Sequence, residues 1–179
     1  MKDLQDGPLI NRVANSGIEV INLEDYYPQA DLVDFDLQPY LFKGLILKEK
    51  DFRTALKEID WSTYNNQIVL VYNSTDAIIP VWAYMLVASY LTDVAATIFQ
   101  GTQSDFLQYH YANIVADLDL TSYQEKRVVI KGCSNKPVPT IAYASLTSRL
   151  KEYAQSIMYG EPCSTVPIFK RPRVLPVKK

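Results

Sequence analysis

The chain is poor in the residues that usually build a metal centre or a disulfide framework. Its 179 residues include two cysteines, Cys133 and Cys163, and one histidine, His110. A structural zinc site takes four ligands and a usual iron–sulfur cluster takes four thiolates, so these three residues do not complete either site. The N-terminus lacks the basic-then-apolar order of a secretory signal. The sequence therefore predicts a cytoplasmic protein whose thiols stay reduced.

Long apolar runs and familiar catalytic motifs are missing as well. The longest apolar stretches, such as residues 78–88, are too short to span a bilayer and are interrupted by Pro80, so no membrane association is expected. The patterns G-x-G-x-x-G, G-x-S-x-G and H-E-x-x-H and the phosphate loop do not occur. A content of 48% hydrophobic and 21% charged residues is typical of a globular protein with an ordinary core.

Positive charge is scarce in the first two thirds of the chain. Through Glu125 there are 7 Lys/Arg against 18 Asp/Glu, and from Lys126 onward there are 11 against 2. This asymmetry indicates either solvated faces and a basic tail or a basic surface for an anionic small molecule or an acidic partner. Nucleic acid is disfavoured, because the acidic part would repel phosphates and no nucleic-acid motif is present.

The chain contains an internal duplication. Residues 60–104 recur without a gap as residues 119–163, with identical pairs such as Asp60 and Asp119, Pro80 and Pro139, and Gly101 and Gly160. In this register Cys133 replaces Ser74, and Cys163 replaces Ser104. Two thiols in place of two hydroxyls suggest where the chemistry of the second copy lies.

Each copy reads as a strand, a helix and a second strand. Continuous β-branched runs predict the first strands, a proline begins each helix, and the register between the copies predicts the second strands. The expected ranges are 67–72, 80–91 and 97–100 in the first copy, and 127–131, 139–150 and 156–159 in the second. Outside these ranges we expect strands at 18–23 and 33–37 that form an N-terminal pair, and helices at 48–60 and 104–116.

These elements predict an α/β protein with a three-layer, mostly parallel open sheet built on the duplicated unit. We expect a single domain over residues 12–169, a loose leader at 1–11 and a basic mobile tail at 170–179. If the first strands of the copies are central neighbours, their carboxyl ends meet where the winding reverses, and ligands bind at such points.

The expected crevice would bring together the loops that follow the two first strands. Its predicted ligand-binding residues are Ser74, Thr75, Ser134, Asn135 and Lys136. Cys133 lies in the second loop and Cys163 after the last strand, which predicts that both thiols lie on one edge of the sheet.

Several roles fit these thiols. Cys133 and Cys163, with Asp76 as a third ligand, could hold iron, an iron–sulfur species or zinc, with a homodimer or a protein partner supplying the remaining ligands. In the alternative, Cys133 is a nucleophile activated at a helix N-terminus, Asn135 and Lys136 bind an anionic substrate, and Asp76 is an acid or base. In the third interpretation the protein is a partner-binding scaffold with structural cysteines.

Other polar and aromatic residues are expected to serve packing. His110 lies at the edge of an apolar stripe of its predicted helix, which is typical of a packing histidine. Trp82, Tyr84 and Tyr143 lie at helical positions and are likewise expected to pack rather than to bind.

At its loops the chain resembles a bacterial family known as domain of unknown function 2480. The resemblance rests on NRVANSG, LFKGLILKEKDFR, STDAIIPVWAYM, VVIKGCSNKPVP and MYGEPCSTVPIFKRP, and it extends from Asn11 to Pro172. The family has no established activity. The resemblance implies a genomic association with iron–sulfur cluster assembly, which adds weight to metal handling and to a partner in that process.

Overall fold

The computed structural model describes residues 17–132 and 135–172. Its strands are β1 (Ile18–Asn22), β2 (Leu32–Asp36), β3 (Leu41–Phe42), β4 (Ile46–Leu47), β5 (Ile68–Tyr72), β6 (Thr97–Gln100), β7 (Arg127–Lys131), β8 (Ser156–Glu161) and β9 (Ser164–Lys170). Its α-helices are α1 (Glu49–Glu58), α2 (Val81–Leu91), α3 (Gln103–Asp117) and α4 (Thr140–Leu150). Within the described part of the chain, every helix falls short of the length and apolar content needed to cross a membrane. The protein is of the α/β class, as predicted.

The chain divides into two compact units. One, here called the central unit, is Pro28–His110; the other, the terminal unit, combines residues up to Tyr27 with those from Tyr111 onward. Helix α3 contributes its first half to the central unit and its second half to the terminal unit.

The central unit is built on a parallel sheet in the order β2-β5-β6. β2 lies beside β5 with Leu32 opposite Ile68, and β5 lies beside β6 with Ile68 opposite Thr97. The first four residues of β5 are buried, as expected of a parallel strand covered on both faces. The core comprises Phe35, Leu37, Leu41, Leu47, Phe52, Leu56, Val69, Val71, Ala83, Val87 and Leu91.

The terminal unit has the sheet order β1-β7-β8-β9. β1, β7 and β8 are parallel, with Ile18 opposite Arg127 and Arg127 opposite Ser156, and β9 runs antiparallel to β8. The buried residues of β7 are three consecutive β-branched side chains, Val128, Val129 and Ile130. This unit therefore repeats the central unit and adds one edge strand.

The duplicated β-α-β unit is present in the structure. The pairing of β5 with β6 and that of β7 with β8 have the same register when the sequence is shifted by one repeat. Pro80 and Pro139 are the N-caps of α2 and α4. The equivalent stripes on these helices are fully buried and comprise Ala83, Val87 and Leu91, and Ala142, Leu146 and Leu150.

The predicted partners of the N-terminal strands are wrong. β1 and β2 do not pair with each other, and β5 and β7 are not neighbours, since each lies in a different sheet. β1 lies beside β7, and β2 lies beside β5. The physical reason is that the first strand of each copy has a second edge whose backbone groups need partners, and one N-terminal strand meets that need in each unit.

Strand β9 was also missed, because no strand was predicted after residue 159. Pro167 argued against a strand, but proline is tolerated on an edge strand, and β9 is at the edge of its sheet. The register between β8 and β9 shifts between Ile157 and Met158, which gives the strand an irregularity near the proline.

Two residues that were predicted to belong to the mobile tail are held by the sheet. Lys170 ends β9, and the Arg171 backbone N–H donates a hydrogen bond to the carbonyl of Gln155 at 2.8 Å. Residues 173–179 and the predicted leader at 1–11 lie outside the described residues. The prediction of a single domain over 12–169 stays a prediction.

Candidate functional site

The carboxyl ends of β7 and β8 lie side by side in the terminal unit. Lys131, the last residue of β7, donates hydrogen bonds to both carboxylate oxygens of Glu161, the last residue of β8, at 3.2 Å. The two side chains are 31% and 51% exposed, so this ion pair lies at the surface. It joins the strand ends from which both cysteine-bearing segments continue.

Cys163 lies in the tight turn between β8 and β9. Glu161 is paired with Ser164, so Pro162 and Cys163 form a two-residue turn. Gly160 has φ +115°, and a Cβ there would lie 2.8 Å from the carbonyl oxygen of Ser164, so only glycine fits the approach to the turn. Cys163 is a free cysteine and is exposed, so its thiol is accessible to a metal ion or a reagent.

Cys133 and Ser134 lie outside the described residues. Gly132, which precedes them, has φ +153°, and a Cβ there would lie 2.6 Å from the hydroxyl oxygen of Tyr143. The chain can therefore leave β7 in this direction only because Gly132 has no side chain.

Asn135 and Lys136 follow on the other side of this segment. The Asn135 backbone N–H donates to the Glu24 carboxylate at 3.0 Å, and the Lys136 ammonium lies 5.2 Å from the centre of the Tyr27 ring. The loop was expected to bind an anion, but the Asn135 N–H already donates its hydrogen bond to the Glu24 carboxylate. Lys131, whose positive charge could stabilise a thiolate at the neighbouring Cys133, is paired with Glu161.

The equivalent loop of the central unit is braced in a similar way. The backbone N–H groups of Ser74 and Gln38 donate to one Asp36 carboxylate oxygen, at 3.0 and 2.9 Å. Burial raises the pKa of Asp36, but hydrogen bonds from the Ser74 side chain and from the Gln38 and Ser74 backbone outweigh it and leave this pKa below 3.8.

Thr75 is held by Asn73. The Asn73 side-chain amide donates to the Thr75 and Ala77 carbonyls at 2.8 and 2.9 Å, and its oxygen accepts from the Thr75 hydroxyl at 3.1 Å. Asp76, between these residues, is exposed. This loop satisfies its own polar groups, which is typical of a structural turn.

The predicted crevice loses its topological basis. Ser74, Thr75 and Asp76 follow β5 in one sheet, whereas Asn135 and Lys136 follow β7 in another. The role of each residue in ligand binding stays a prediction. Among residues 17–132 and 135–172, no group of three or more His, Cys, Asp or Glu residues could hold a metal ion. The predicted site for iron, an iron–sulfur species or zinc includes Cys133, which lies outside these residues, so it stays a prediction.

Three of the aromatic residues expected to pack do so: His110, Trp82 and Tyr84, of which Trp82 and Tyr84 pack against the core of the central unit. The His110 ring stacks on Phe106 with centroids 5.7 Å apart, and the Trp82 ring lies 6.1 Å from Phe52. Tyr143 packs edge-on against Tyr159 at 5.7 Å, but it also lines a cavity that the sequence did not predict.

This cavity lies in the terminal unit and has a volume of about 550 Å³. Its walls come from β7, β8, β9 and α4, and its lining residues are Ile130, Val138, Thr140, Tyr143, Ala144, Thr147, Met158, Tyr159 and Ile168. One signal was available in the sequence: some lining residues are smaller than their counterparts in the first copy. The signal could not be interpreted without β9, which supplies one wall.

The structure thus defines a duplicated α/β protein with paired strand ends and an apolar cavity in its second copy. The chain belongs to the family described as "Protein of unknown function (DUF2480)", which it matches over residues 7–171. No curated protein and no solved structure matches the chain.

Proposed function

We propose that this protein is a cytoplasmic accessory protein that binds iron, an iron–sulfur species or zinc through the thiols of Cys133 and Cys163. The observation that carries the proposal is the ion pair between Lys131 and Glu161. Each cysteine follows one member of this pair by two residues in the sequence. Two residues of chain reach at most about 7 Å, so the paired strand ends favour a short separation between the thiols.

The chemistry of the two thiols suits a soft or borderline metal. Thiolates bind zinc, iron and iron–sulfur clusters, and zinc sites are almost always four-coordinate. Asp76, the expected third ligand, follows β5 in the other sheet, so it is not part of the paired strand ends. We therefore assign the remaining ligands to a second copy or to a protein partner in iron–sulfur assembly.

Metal analysis tests the proposal directly. The full chain is purified without oxygen, and iron, zinc and visible absorbance are measured for the parent, Cys133→Ser and Cys163→Ser. Both substitutions should lower the metal content, because each removes one of two thiolates. The matched control is Ser104→Ala, since Ser104 occupies the position of Cys163 in the first copy. A metal content that neither cysteine substitution changes would reject the proposal.

A second measurement tests the distance between the thiols without metal. Dibromobimane becomes fluorescent when it bridges two neighbouring thiols within one molecule. The parent protein should become fluorescent and stay monomeric, because the reagent bridges its own two thiols. Each single cysteine variant should not become fluorescent. Labelling of both thiols without fluorescence would show that they lie too far apart to share an ion.

The geometry gives less support to an enzyme with Cys133 as its nucleophile. The Asn135 N–H donates to Glu24, and Lys131 is paired with Glu161, so two groups expected to favour a thiolate are engaged. Such an enzyme would use Asn135 and Lys136 for an anionic substrate and Asp76 as acid or base. In a Cys163→Ser background, a Cys133 alkylation rate that follows the pH dependence of a free peptide thiol would exclude this alternative.

A further inference from the structure

We propose that the cavity of the terminal unit is a binding site for a neutral, mainly apolar small molecule that contains a ring. The inference does not use the thiols: among residues 17–132 and 135–172, no cysteine lines the cavity. Its volume of about 550 Å³ falls in the range of small-molecule pockets.

The lining chemistry defines the charge of the ligand. None of the lining residues in the described part of the chain carries a charge, and the only polar side chains are those of Thr140, Tyr143, Thr147 and Tyr159. Burying an ion without a charged partner costs far more than burying an apolar group. The site therefore selects against ionised molecules and offers hydroxyl groups to one or two polar atoms.

The inner walls are fixed by tight packing. Ile130 and Val138 are buried, and the Tyr143 hydroxyl lies against Gly132, where no larger residue fits. Tyr143 and Tyr159 form an edge-on aromatic pair with centroids 5.7 Å apart. Aromatic walls of this kind favour a planar ring, which packs against them in stacked or edge-on geometry.

Two residues that line the cavity differ in size from their counterparts in the first copy of the repeat. Ala144 and Met158, which line it, correspond to Met85 and Phe99 in the central unit. Both counterparts are bulkier. At these two positions the second copy therefore has less side-chain volume, although its Ile130, Thr147 and Tyr159 are larger than the corresponding Val71, Ala88 and Gln100.

The chain that follows the second strand also differs between the copies. In the central unit α3 follows β6, and the Phe99 ring packs on Phe106 and Tyr109 of that helix, at 5.3 and 5.5 Å. In the terminal unit β9 follows β8 and contributes Ile168 to the cavity. An edge strand therefore follows the second strand of the second copy where a helix follows it in the first copy, and a ring-containing ligand would supply aromatic contacts like those that Phe99 makes with that helix.

A neutral fluorescent probe tests the site. N-phenyl-1-naphthylamine is titrated into the full chain and into Ala144→Met and Met158→Phe, which restore the bulk of the first copy. The parent should show saturable fluorescence with one site per chain. Each substitution should weaken binding by about tenfold or more, because the added atoms narrow the mouth of the cavity at Ala144 and take up space at its β8 wall at Met158. Because Ala144 is exposed, Ala144→Met adds bulk at the mouth of the cavity with little risk to folding.

The matched control is Met85→Ala, the reverse exchange at the equivalent position of the first copy. Met85 is 67% exposed, so the variant also removes an exposed apolar side chain that could bind the probe. Its probe affinity should equal that of the parent. Cys163→Ser should likewise bind the probe unchanged, which separates this inference from the proposed metal binding.

The inference would be overturned by either of two results. One is the absence of saturable binding to the parent, and the other is equal affinity in the parent, Ala144→Met and Met158→Phe. The anionic probe 8-anilino-1-naphthalenesulfonate tests the ligand class. Binding of this anion as tight as that of the neutral probe, and equally sensitive to Ala144→Met, would contradict selection for neutral molecules.

Discussion

Single residues determine how each repeat leaves its first strand. Gly132 combines a positive φ with a close contact to the Tyr143 hydroxyl, so two independent effects exclude a side chain there. In the first copy the corresponding residue is Asn73, whose side chain instead braces the Thr75 loop. The same position thus provides space in one copy and hydrogen bonds in the other.

Gly132→Ala should lower the free energy of unfolding by about 1–3 kcal/mol, because the new Cβ adds backbone strain and a clash. Gly44→Ala is the control: Gly44 has φ +71°, but a Cβ added there would meet no atom within 4 Å, so this change should cost less. The measurement is urea denaturation. Equal losses in the two variants would show that the contact with Tyr143 carries no energy.

The carboxylate of Asp36 makes loop stability dependent on pH. Its pKa in the folded protein is below the ordinary value of 3.8, because hydrogen bonds outweigh the effect of burial. A lowered pKa means that the contribution to stability is present above pH 3.8 and is lost as the pH falls through the folded-state pKa.

We therefore expect Asp36→Asn to be less stable than the parent at neutral pH, and the difference to shrink as the solution is acidified below pH 3.8. Asp76→Asn, at an exposed residue of the same loop, should show a smaller difference at neutral pH. Denaturation curves at several pH values measure both. A difference between Asp36→Asn and the parent that does not change with pH would contradict the assignment.

At the scale of elements, α4 holds the C-terminal end of α3. The Arg149 guanidinium donates to the carbonyl of Val115, and it also donates to that of Leu118 at 3.0 Å. These carbonyls belong to the last turn of α3 and the residue beyond it, where acceptors lack helical partners. In the first copy the equivalent residue is Tyr90, which stacks on Trp61 at 4.9 Å.

Arg149→Met should lower the free energy of unfolding by about 2 kcal/mol, because it removes charged hydrogen bonds to half-buried carbonyls. Arg53→Met is the matched control, since Arg53 pairs with Glu49 on the exposed face of α1. That change should cost about 0.3–0.5 kcal/mol. Thermal or urea denaturation distinguishes the two, and similar losses would show that Arg149 does not tether α3.

The elements of the repeats could be predicted from the sequence, and their partners could not. Val69 and Val128 lie in continuous β-branched runs, and Pro80 and Pro139 mark the helix starts, so local patterns sufficed for β5, β7, α2 and α4. β9 was not predicted, because Pro167 disfavours a strand and because the pairing of β9 with β8 depends on a turn formed at Pro162 and Cys163. The cavity escaped for the same reason, since one of its walls is β9.

At the scale of the molecule, the two units differ in continuity along the chain. The central unit is one segment with its own core, whereas the terminal unit joins β1 to strands that come after residue 126. Sequence patterns could not reveal this division, because β1 and β2 are both short strands of five residues and either could lie beside either first strand. The choice depends on contacts between distant parts of the chain.

A fragment of residues 28–110 should fold alone, because it contains all three strands of its sheet and the whole of its buried cluster. A fragment of residues 111–172 lacks β1 and should show a weaker unfolding transition. Circular dichroism during urea denaturation checks both. A 28–110 fragment without a cooperative transition would favour the predicted single domain over residues 12–169.

The place of β1 in the sheet has a consequence for synthesis on the ribosome. β1 leaves the exit tunnel first, but its partner Arg127–Lys131 is translated roughly a hundred residues later. At about 5–20 residues per second this delay lasts about 5–20 seconds, long enough for the central unit to complete its sheet. During that interval the β1 segment of the nascent chain is unpaired, and it is the segment that a chaperone would bind.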